Sequence, residues 1–265
     1  MLVAERHQQI VELVNKRKSI RVSELSRIFS VTEETIRRDL EKLEGESKLN
    51  RSHGGALRKE NTERNEIPYF EREVINTNEK KEIALLAAKQ IKSGDKVILD
   101  ASSTAWYMSK VLKNMPITVV TNSIKVAMEL STKQQITVIS IGGTLLSKSL
   151  SFVGPLAESS MNNYHVNKAF ISCQSFHVDY GISDSNELQA RVKQNMIECA
   201  EEVYIMVDHT KIGKQSFAYI NKTNVIDKVI TDSKISNTHL KQIEESSLQL
   251  IKGNGDCDLQ TLKII

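Results

Sequence analysis

The sequence of 265 residues is poor in cysteine, and its three cysteines, Cys173, Cys199 and Cys257, stand far apart. Isolated thiols without short spacings argue against a disulfide framework or a cysteine-ligated metal site. Apolar runs approaching the roughly 18 residues of a membrane span are lacking, and residues 1–6 do not resemble a secretory signal peptide. We therefore expect a cytoplasmic protein with no membrane association, resident metal or cofactor.

Excess charge of one sign is also scarce, because 36 Lys and Arg face 33 Asp and Glu, a net charge of +3. Residues 1–60 carry 13 basic and 10 acidic side chains, whereas the other 205 residues carry 23 of each. The whole surplus therefore lies in the first 60 residues, where it favours contact with a polyanion such as DNA. Solvated surfaces often carry as much charge, so the surplus alone does not indicate DNA binding. The residue pattern is needed as further evidence.

Residues 21–44 predict two short amphipathic helices joined by a tight turn. Ser23 and Thr32 stand where each helix would take its N-cap. The apolar side chains of the second helix recur on one face, which leaves Arg37 and Arg38 on the opposite face. A helix-turn-helix presents its recognition helix to the major groove of DNA in this way.

Residues 48–57 predict a short strand, a Gly-Gly turn and a second strand, which together form a wing. Such a hairpin contacts the DNA backbone beside the groove. Thr35, Arg37 and Arg38 would face the bases, and the basic residues that follow would contact phosphates. Glu34 would accept from a cytosine amino group or only favour the helix dipole, and the sequence leaves both roles open. The predicted DNA-binding residues are Ser23, Thr32, Glu34, Thr35, Arg37, Arg38, Lys42, Lys48, Arg51 and His53.

From residue 78 onward, short apolar strands alternate with helices, a pattern typical of a parallel sheet covered on both faces. The predicted fold class is α/β, with an N-terminal winged helix-turn-helix followed by a doubly wound, mostly parallel domain. Residues 187–202 should form its longest helix. The predicted boundaries are 1–57 for the winged helix, 58–77 for a linker in which Tyr69 and Phe70 dock on the next domain, 78–252 for the α/β domain and 253–265 for a C-terminal tail.

Ligands of open parallel sheets bind beyond the carboxyl ends of the strands, and several predicted strands here end in small or polar residues. Asp100-Ala101-Ser102-Ser103-Thr104 joins a strand to a helix start, which suits a phosphate group. Each feature alone has an ordinary structural role, such as a helix cap or a turn, and only their coincidence favours a site. The candidate residues are Asp100, Ser102, Ser103, Thr104, Thr121, Asn122, Gly142, Gly143 and Asp184.

The chain resembles the DeoR family of bacterial transcription regulators over nearly its whole length. In the first half the resemblance is carried by Thr-Ile-Arg-Arg-Asp-Leu at residues 35–40 and His-Gly-Gly at residues 53–55. In the second half, residues 100–104, 142–143 and 208–211 are similar to the family's sensor domain, whose fold is like that of ribose-5-phosphate isomerase. The resemblance adds Lys193 to the effector-binding residues; alone it would be taken for a solvated lysine.

The resemblance implies a repressor, not an enzyme, that controls a carbohydrate catabolism operon. A phosphorylated sugar or polyol effector would release it from double-stranded operator DNA. One helix-turn-helix makes few base contacts, so a homodimer or homotetramer is expected. The family usually has glycine after the first aspartate of the ligand loop, and Ala101 stands there in this chain. We expect the change to tighten the loop and alter the ligand preference.

Two alternatives remain open at the level of sequence. The second domain could be a sugar-phosphate isomerase with Asp100, Asp184 or Glu187 as its base, which turnover of pentose and hexose phosphates would reveal. The winged helix could instead bind a protein, in which case its binding would be indifferent to salt.

Overall fold

The computed structural model of the protein describes residues 3–17, 19–45, 48–52, 54–57 and 66–255. The chain divides into two compact units, Met1–Thr62 and Glu63–Ile265. Within the described ranges, no helix combines the length and the apolar character needed to cross a bilayer.

The first unit is a winged helix-turn-helix, as the sequence predicts. Its elements are α1 Val3–Arg17, β1 Ser19–Arg21, α2 Val22–Phe29, α3 Glu33–Gly45, β2 Asn50–Ser52 and β3 Gly55–Leu57. The three strands form an antiparallel sheet in the order β1-β3-β2. The strand β1 was not predicted, because three residues are too few to show an alternating pattern. It holds the wing against the helices.

The expectation that Ser23 caps α2 is wrong. The helix begins one residue earlier, at Val22, and among the described residues no side chain caps it. Because β1 runs directly into α2, the Val22 N–H donates to the carbonyl of Gly54 in the wing, at 2.9 Å. The wing comes so close to β1 that a Cβ on Gly55 would lie 2.2 Å from the carbonyl oxygen of Ile20, which only glycine avoids.

The second unit is built on a seven-stranded sheet in the order β15-β14-β12-β9-β4-β5-β6, with every pair parallel. Two small antiparallel sheets, β7-β8 and β10-β11-β13, accompany it. The strands are β4 Lys96–Leu99, β5 Ile117–Thr121, β6 Ile136–Ser140, β7 Thr144–Leu146, β8 Ser151–Val153, β9 Val166–Ile171, β10 Ser175–His177, β11 Gly181–Asp184, β12 Ala200–Met206, β13 Ala218–Asn221, β14 Lys228–Thr231 and β15 Gln249–Lys252. The helices are α4 Tyr69–Val74, α5 Thr77–Ala88, α6 Ser103–Val111, α7 Ile124–Leu130, α8 Pro155–Met161, α9 Glu187–Glu198 and α10 Asn237–Glu244, with 3-10 turns at His209–Lys211 and Thr223–Val225.

Both faces of the large sheet are buried, which confirms the doubly wound arrangement. Val97 and Leu99 face a core that α5, α6 and α7 cover, and Ile98 between them faces a second core against α8, α9 and α10. Successive residues of a strand point to opposite faces, so a strand buried on both sides reads as an unbroken apolar run. That run is the pattern from which the sequence predicts a parallel sheet.

The helix expected at residues 187–202 ends at Glu198, and with 12 residues it is shorter than α1, which has 15. Residues 200–202 instead begin β12, where Ala200 pairs with Val166 and Glu202 with Lys168 of β9. Pairing with a neighbouring strand overrides the helical propensity of these residues. The small sheet β10-β11-β13 and the helix α10 were not predicted.

The segment expected as a linker, residues 58–77, is partly folded. Residues 58–65 lie outside the described ranges, whereas Glu66 and the residues after it belong to the second unit and include α4. Tyr69 is fully buried, and its N–H donates to the carbonyl of Lys148 at 2.8 Å, so the predicted docking by Tyr69 is confirmed. Phe70 is 65% exposed and does not take part in the same way.

Candidate functional site

The outer face of α3 carries two arginines, and each pairs with a glutamate one turn earlier. Arg37 Nη2 donates to Glu33 Oε2 at 3.0 Å, and Arg38 Nε lies 3.6 Å from Glu34 Oε1. The Arg38 side chain is 77% exposed. Exposed pairs of this spacing contribute only about 0.3–0.5 kcal/mol. The guanidinium groups can therefore exchange the carboxylates for DNA at little cost.

Thr32 caps α3 as expected, because its hydroxyl accepts from the Thr35 N–H at 3.2 Å. The two threonine hydroxyls lie 2.9 Å apart, so the Thr35 side chain is already bonded within the turn. Of the other predicted DNA-binding residues, Ser23 is half-buried and Lys42, Lys48 and Arg51 are exposed. His53 lies outside the described residues. Their contacts with DNA stay a prediction.

Arg51 fixes the wing to the end of α3. Its backbone N–H donates to Glu44 Oε1 at 2.9 Å, and its guanidinium Nη1 lies 3.9 Å from Glu41 Oε1. The wing strand β2 thus keeps a set position beside the recognition helix. A phosphate would have to compete with these exposed carboxylates for the guanidinium group.

In the second unit, a cavity of about 560 Å³ opens where β4, β9 and β12 end. It is lined by residues of five segments: 67–80, 102–103, 172–175, 184–193 and 208–216. The cavity therefore lies beyond the carboxyl ends of parallel strands, where ligands of such sheets bind. Its first segment belongs to the chain that precedes the sheet.

Cationic side chains outnumber carboxylates around this cavity. The lining cations are Arg72, Lys80, Lys193, Lys211 and Lys214, and the lining carboxylates are Asp184 and Asp208. Partly enclosed positive charge raises the local concentration of anions. The cavity is suited to an anionic ligand.

Lys193 is paired with buried carboxylates at this cavity. Its ammonium donates to Asp184 Oδ2 at 2.6 Å and to the Ser172 carbonyl at 2.7 Å, and it lies 3.4 Å from Asp100 Oδ2. Burial works against both charges, but the ion pair prevails: the pKa of Asp184 is lowered and the pKa of Lys193 is raised. These two groups therefore stay charged around neutral pH.

The N-terminus of α6 forms part of the cavity wall. Ser102 caps this helix, since its hydroxyl accepts from the Ala105 N–H at 3.0 Å and donates to Asp100 Oδ1 at 2.6 Å. The Ser102 hydroxyl thus already has its hydrogen-bond partners within the protein. Ser103 follows at the first helical position, where backbone N–H groups have no partner within a helix. These donors and the helix dipole favour an anion there.

Four of the predicted effector-binding residues line the cavity together: Ser102, Ser103, Asp184 and Lys193. Asp100 lies behind them, fully buried, and accepts from the Ser172 N–H at 3.1 Å. The other five do not line it; they are Thr104, Thr121, Asn122, Gly142 and Gly143.

The order of the strands explains why four of those residues, all except Thr104, are elsewhere. Thr121 ends β5 and Asn122 follows it, and the two glycines follow β6, on the far side of β4 from the cavity. The Thr121 hydroxyl donates to the Leu99 carbonyl at 2.7 Å, and Asn122 Nδ2 donates to the Phe152 carbonyl at 3.1 Å. A Cβ on Gly143 would lie 2.7 Å from the Val153 carbonyl oxygen. Their part in effector binding stays a prediction, and these contacts give Thr121, Asn122 and Gly143 structural roles.

Sequence reasoning did not select Arg72, Lys80 or Lys214, because charged stretches usually form solvated surfaces. Lys80 is buried, and its ammonium donates to the carbonyls of Arg72 and Ile75. Burial and the neighbouring charges of Lys211 and Arg72 lower the pKa of Lys80 to about 8. In the sequence, Lys80 follows Glu79 on a predicted helix. Nothing in that pattern indicates a buried lysine with a lowered pKa.

The fold and the cavity define a winged-helix DNA-binding unit joined to a ligand-binding α/β unit. Residues 6–62 match the DeoR-like helix-turn-helix domain, and residues 75–233 match the DeoR C-terminal sensor domain. The chain belongs to the DeoR family of transcription regulators. It is therefore a DNA-binding regulator and not an enzyme.

Similar proteins span nearly the whole chain. The uncharacterized HTH-type transcriptional regulator YulB of Bacillus subtilis is 57% identical over 94% of this chain and 96% of its own length. A putative aga operon transcriptional repressor of Escherichia coli is 31% identical over 94% of this chain and 93% of its own. The L-fucose operon activator of Haemophilus influenzae is 32% identical over 93% and 98%.

Among solved structures, part of the chain is similar to ribose-5-phosphate isomerase A of Methanocaldococcus jannaschii. The TM-score is 0.40 with 17% sequence identity, over 52% of this chain and 55% of the isomerase. A likeness at that level supports no conclusion about activity. Across the described residues, no group of three or more His, Cys, Asp or Glu is arranged to hold a metal ion.

Proposed function

We propose that this protein represses a carbohydrate catabolism operon and that a phosphorylated sugar or polyol releases it from operator DNA. The observation that carries the proposal is the cavity at the strand ends, with its surplus of cations beside the N-terminus of α6. The winged helix in the same chain supplies the DNA-binding element.

The chemistry of the cavity supports a ligand with both a phosphate and hydroxyl groups. Ser103 and the first N–H groups of α6, together with the ammonium of Lys211, offer donors to a phosphate. Asp184 and Asp208 offer carboxylate acceptors to sugar hydroxyls. The volume of about 560 Å³ is in the range that small-molecule sites occupy.

A second candidate is an activator that uses the same sites. It is favoured by one specific observation, the 32% identity to a protein named as an L-fucose operon activator. The two candidates predict opposite signs in transcription from a reporter carrying the upstream region of the protein's own gene. Deleting the gene should raise expression if the protein is a repressor and lower it if the protein is an activator.

We further propose that the protein binds DNA as a homodimer or homotetramer. A single recognition helix contacts few base pairs, and symmetric oligomers obtain specificity by reading two half-sites about one helical turn apart. Sedimentation of the full chain with and without an operator fragment gives the stoichiometry. A monomer on DNA would contradict this part of the proposal.

The main experiment is a thermal-shift screen of the full-length protein. The probes are glucose 6-phosphate, fructose 1-phosphate, fructose 6-phosphate, ribose 5-phosphate and glycerol 3-phosphate, each beside its unphosphorylated parent. A compound that binds the native state raises its melting temperature. We expect one phosphorylated compound to do so, and its parent to have little effect.

The same compound should then release the protein from a DNA fragment containing its upstream region in a gel shift. Without effector, binding to this fragment should weaken steeply as salt rises, since phosphate contacts release counterions. A protein that responds to none of the phosphorylated probes, or whose DNA binding ignores them all, would contradict the proposal.

A further inference from the structure

Arg72 presents an unsatisfied guanidinium group at the effector cavity. Its Nε and Nη2 atoms are buried and have no hydrogen-bond partner among the described residues. The Glu66 carboxylate comes only within 3.9 Å of Nη2, and the ring of Tyr69 lies 5.6 Å from the guanidinium carbon. Buried polar groups in folded proteins are nearly always bonded, so these two donors call for a partner beyond the described residues.

The position of the Arg72 side chain indicates what kind of partner it takes. Arg72 lines the cavity together with Lys80 and Lys211, and the positive charge of Arg72 acts on Lys80. Three cations brought together in a partly enclosed space stabilise an anion between them. The planar guanidinium matches the geometry of a phosphate or carboxylate with two parallel N–H donors.

We propose that Arg72 binds the anionic group of the effector directly and thereby links occupancy of the cavity to the chain segment that leads to the DNA-binding unit. The inference rests on the proposed function, because it needs an anionic effector. It adds a ligand-binding residue that lies outside the strand-end loops, on α4.

The backbone contacts of the same segment support the link. The Arg72 carbonyl accepts from the Lys80 ammonium and, at 3.4 Å, from the Ser103 hydroxyl. Both donors line the cavity. An anion that takes Ser103 and Lys80 as its own donors therefore competes for the bonds that hold the end of α4.

Asn76, just after α4, is tied to the opposite wall. Its Nδ2 donates to Asp208 Oδ1 at 3.2 Å and to Thr210 Oγ1 at 3.3 Å. Residues 72–76 are thus bonded to cavity residues at both ends, and α4 is the first helix of the second unit. A ligand shifts an equilibrium only through contacts that differ between two states. Contacts with this segment would be of that kind, because an anion at Ser103 and Lys80 competes for them.

The test compares three full-length variants with the wild type: Arg72→Gln, Arg72→Lys and Arg191→Gln. Arg191 lies exposed on α9 and is the matched control. Affinity for inorganic phosphate, and for any sugar phosphate that stabilises the wild type, is measured by calorimetry, and operator release by gel shift. Arg72→Gln should bind these anions about tenfold more weakly or worse, since a hydrogen bond to a charged group is lost.

Arg72→Gln should bind operator normally without effector and resist release, whereas Arg191→Gln should behave as the wild type. Arg72→Lys keeps the charge without the planar fork and should recover part of the anion affinity. An Arg72→Gln protein with the wild-type melting temperature, wild-type anion affinity and normal release would overturn the inference. So would an Arg72→Lys protein as impaired as Arg72→Gln, because a role in packing alone would then explain the loss.

A second variant keeps the test valid if Arg72→Gln does not fold. Glu66→Gln leaves Arg72 in place, keeps an acceptor for Asn186, which bonds Glu66 at 3.2 Å, and removes the negative charge that lies 3.9 Å from the guanidinium. Anion affinity should rise severalfold, and an unchanged or weaker affinity would count against the inference. If the wild type itself binds none of the anions, the proposed function fails; if it binds them and these variants do not differ from it, only the inference about Arg72 fails.

Discussion

Arg6 and Asp39 lie 33 residues apart in the sequence and form an ion pair with two hydrogen bonds, Nε to Oδ2 at 2.6 Å and Nη2 to Oδ1 at 3.1 Å. His7 Nε2 lies 2.9 Å from the same Oδ1. All three side chains are buried, and they join α1 to the recognition helix α3. Burial opposes ionisation of Asp39, but the bonds from Arg6 and His7 hold the pKa of its carboxyl below the usual range.

Asp39→Asn should destabilise the DNA-binding unit by about 3–5 kcal/mol, because it leaves the buried Arg6 charge without its partner. Hydrogen exchange of the α3 amides measures the effect, with Glu41→Gln on the exposed side of the same helix as control. In the wild type, the contribution of Asp39 is fully present above its unfolded-state pKa of about 3.9 and is lost as pH falls through the lower folded-state value. Equal exchange in both variants would show that the pair does not hold α3.

Arg38→Ala should weaken operator binding without unfolding the protein. The side chain is 77% exposed and its pair with Glu34 is weak, so stability should change by less than about 0.5 kcal/mol. Loss of a contact with a guanine edge costs about 1–3 kcal/mol of discrimination, or tenfold or more in affinity. Gel shift on the upstream fragment and a melting curve measure the two effects. Arg191→Ala is the control, and an Arg38→Ala protein with intact affinity would remove Arg38 from the interface.

Ser103→Glu should produce a regulator that stays on DNA in the presence of effector. The new carboxylate enters the cavity at the first position of α6, where it repels an anionic ligand and itself satisfies the helix dipole. The melting temperature without ligand should stay close to that of the wild type, and the shift caused by a sugar phosphate should disappear. Ser103→Ala, which adds no charge, should retain a response. Normal release of the glutamate variant would place the phosphate elsewhere.

Lys193→Met should destabilise the second unit, because it leaves the carboxylates of Asp184 and Asp100 buried without a counter-charge. Removing one partner of a buried ion pair costs about 3–5 kcal/mol. Trp106, the one tryptophan of the chain, is buried in this unit, so its fluorescence reports the unfolding. Lys89→Met, at an exposed position after α5, should change little. Similar denaturation midpoints for the two variants would show that the charge of Lys193 is not needed for the fold.

Affinity for an anionic effector should fall as pH rises through about 8, the value to which the pKa of Lys80 is lowered. The charged groups around Lys80 come from three elements. They are Arg72 on α4, Lys211 and Asp208 in the loop after β12, and Glu79 on the same helix as Lys80. The effector phosphate is already a dianion above pH 7. The loss of affinity therefore reports deprotonation of the lysine.

Calorimetry with a sugar phosphate between pH 6.5 and 9.5 follows this loss. Lys80→Arg keeps its charge over the whole range, so its affinity should not change near pH 8. A wild-type profile that is flat between pH 7 and 9 would mean that the ammonium of Lys80 does not contribute to anion binding.

The framework of the protein could be predicted from its sequence because local patterns determine it. The strands at Ile117–Thr121 and Lys228–Thr231 have the predicted bounds, since short apolar runs between turn residues leave little choice. Thr32 caps α3 as expected for the same reason, because a cap depends on residues three positions away.

The cavity at the strand ends could be predicted only in part, because it depends on the order of the strands. A sequence shows that Asn122 and Gly142 follow strands, but not that β5 and β6 lie on the other side of β4 from β9 and β12. The sequence around Arg72 does not indicate a ligand-binding residue. Residues that line the cavity with it, such as Lys211, lie up to about 140 positions away. Interactions at such separations are decided by the tertiary fold.

The pairing of Arg37 and Arg38 with Glu33 and Glu34 means that the recognition helix meets a duplex with its charges already balanced. Backbone phosphates gain little from such a helix, because the glutamates repel what the arginines attract. A guanine edge, with two acceptors and no full charge, gains from the arginines without that repulsion. We therefore expect the protein to stay only briefly at unrelated DNA sequences and longer at sites whose bases match its contacts.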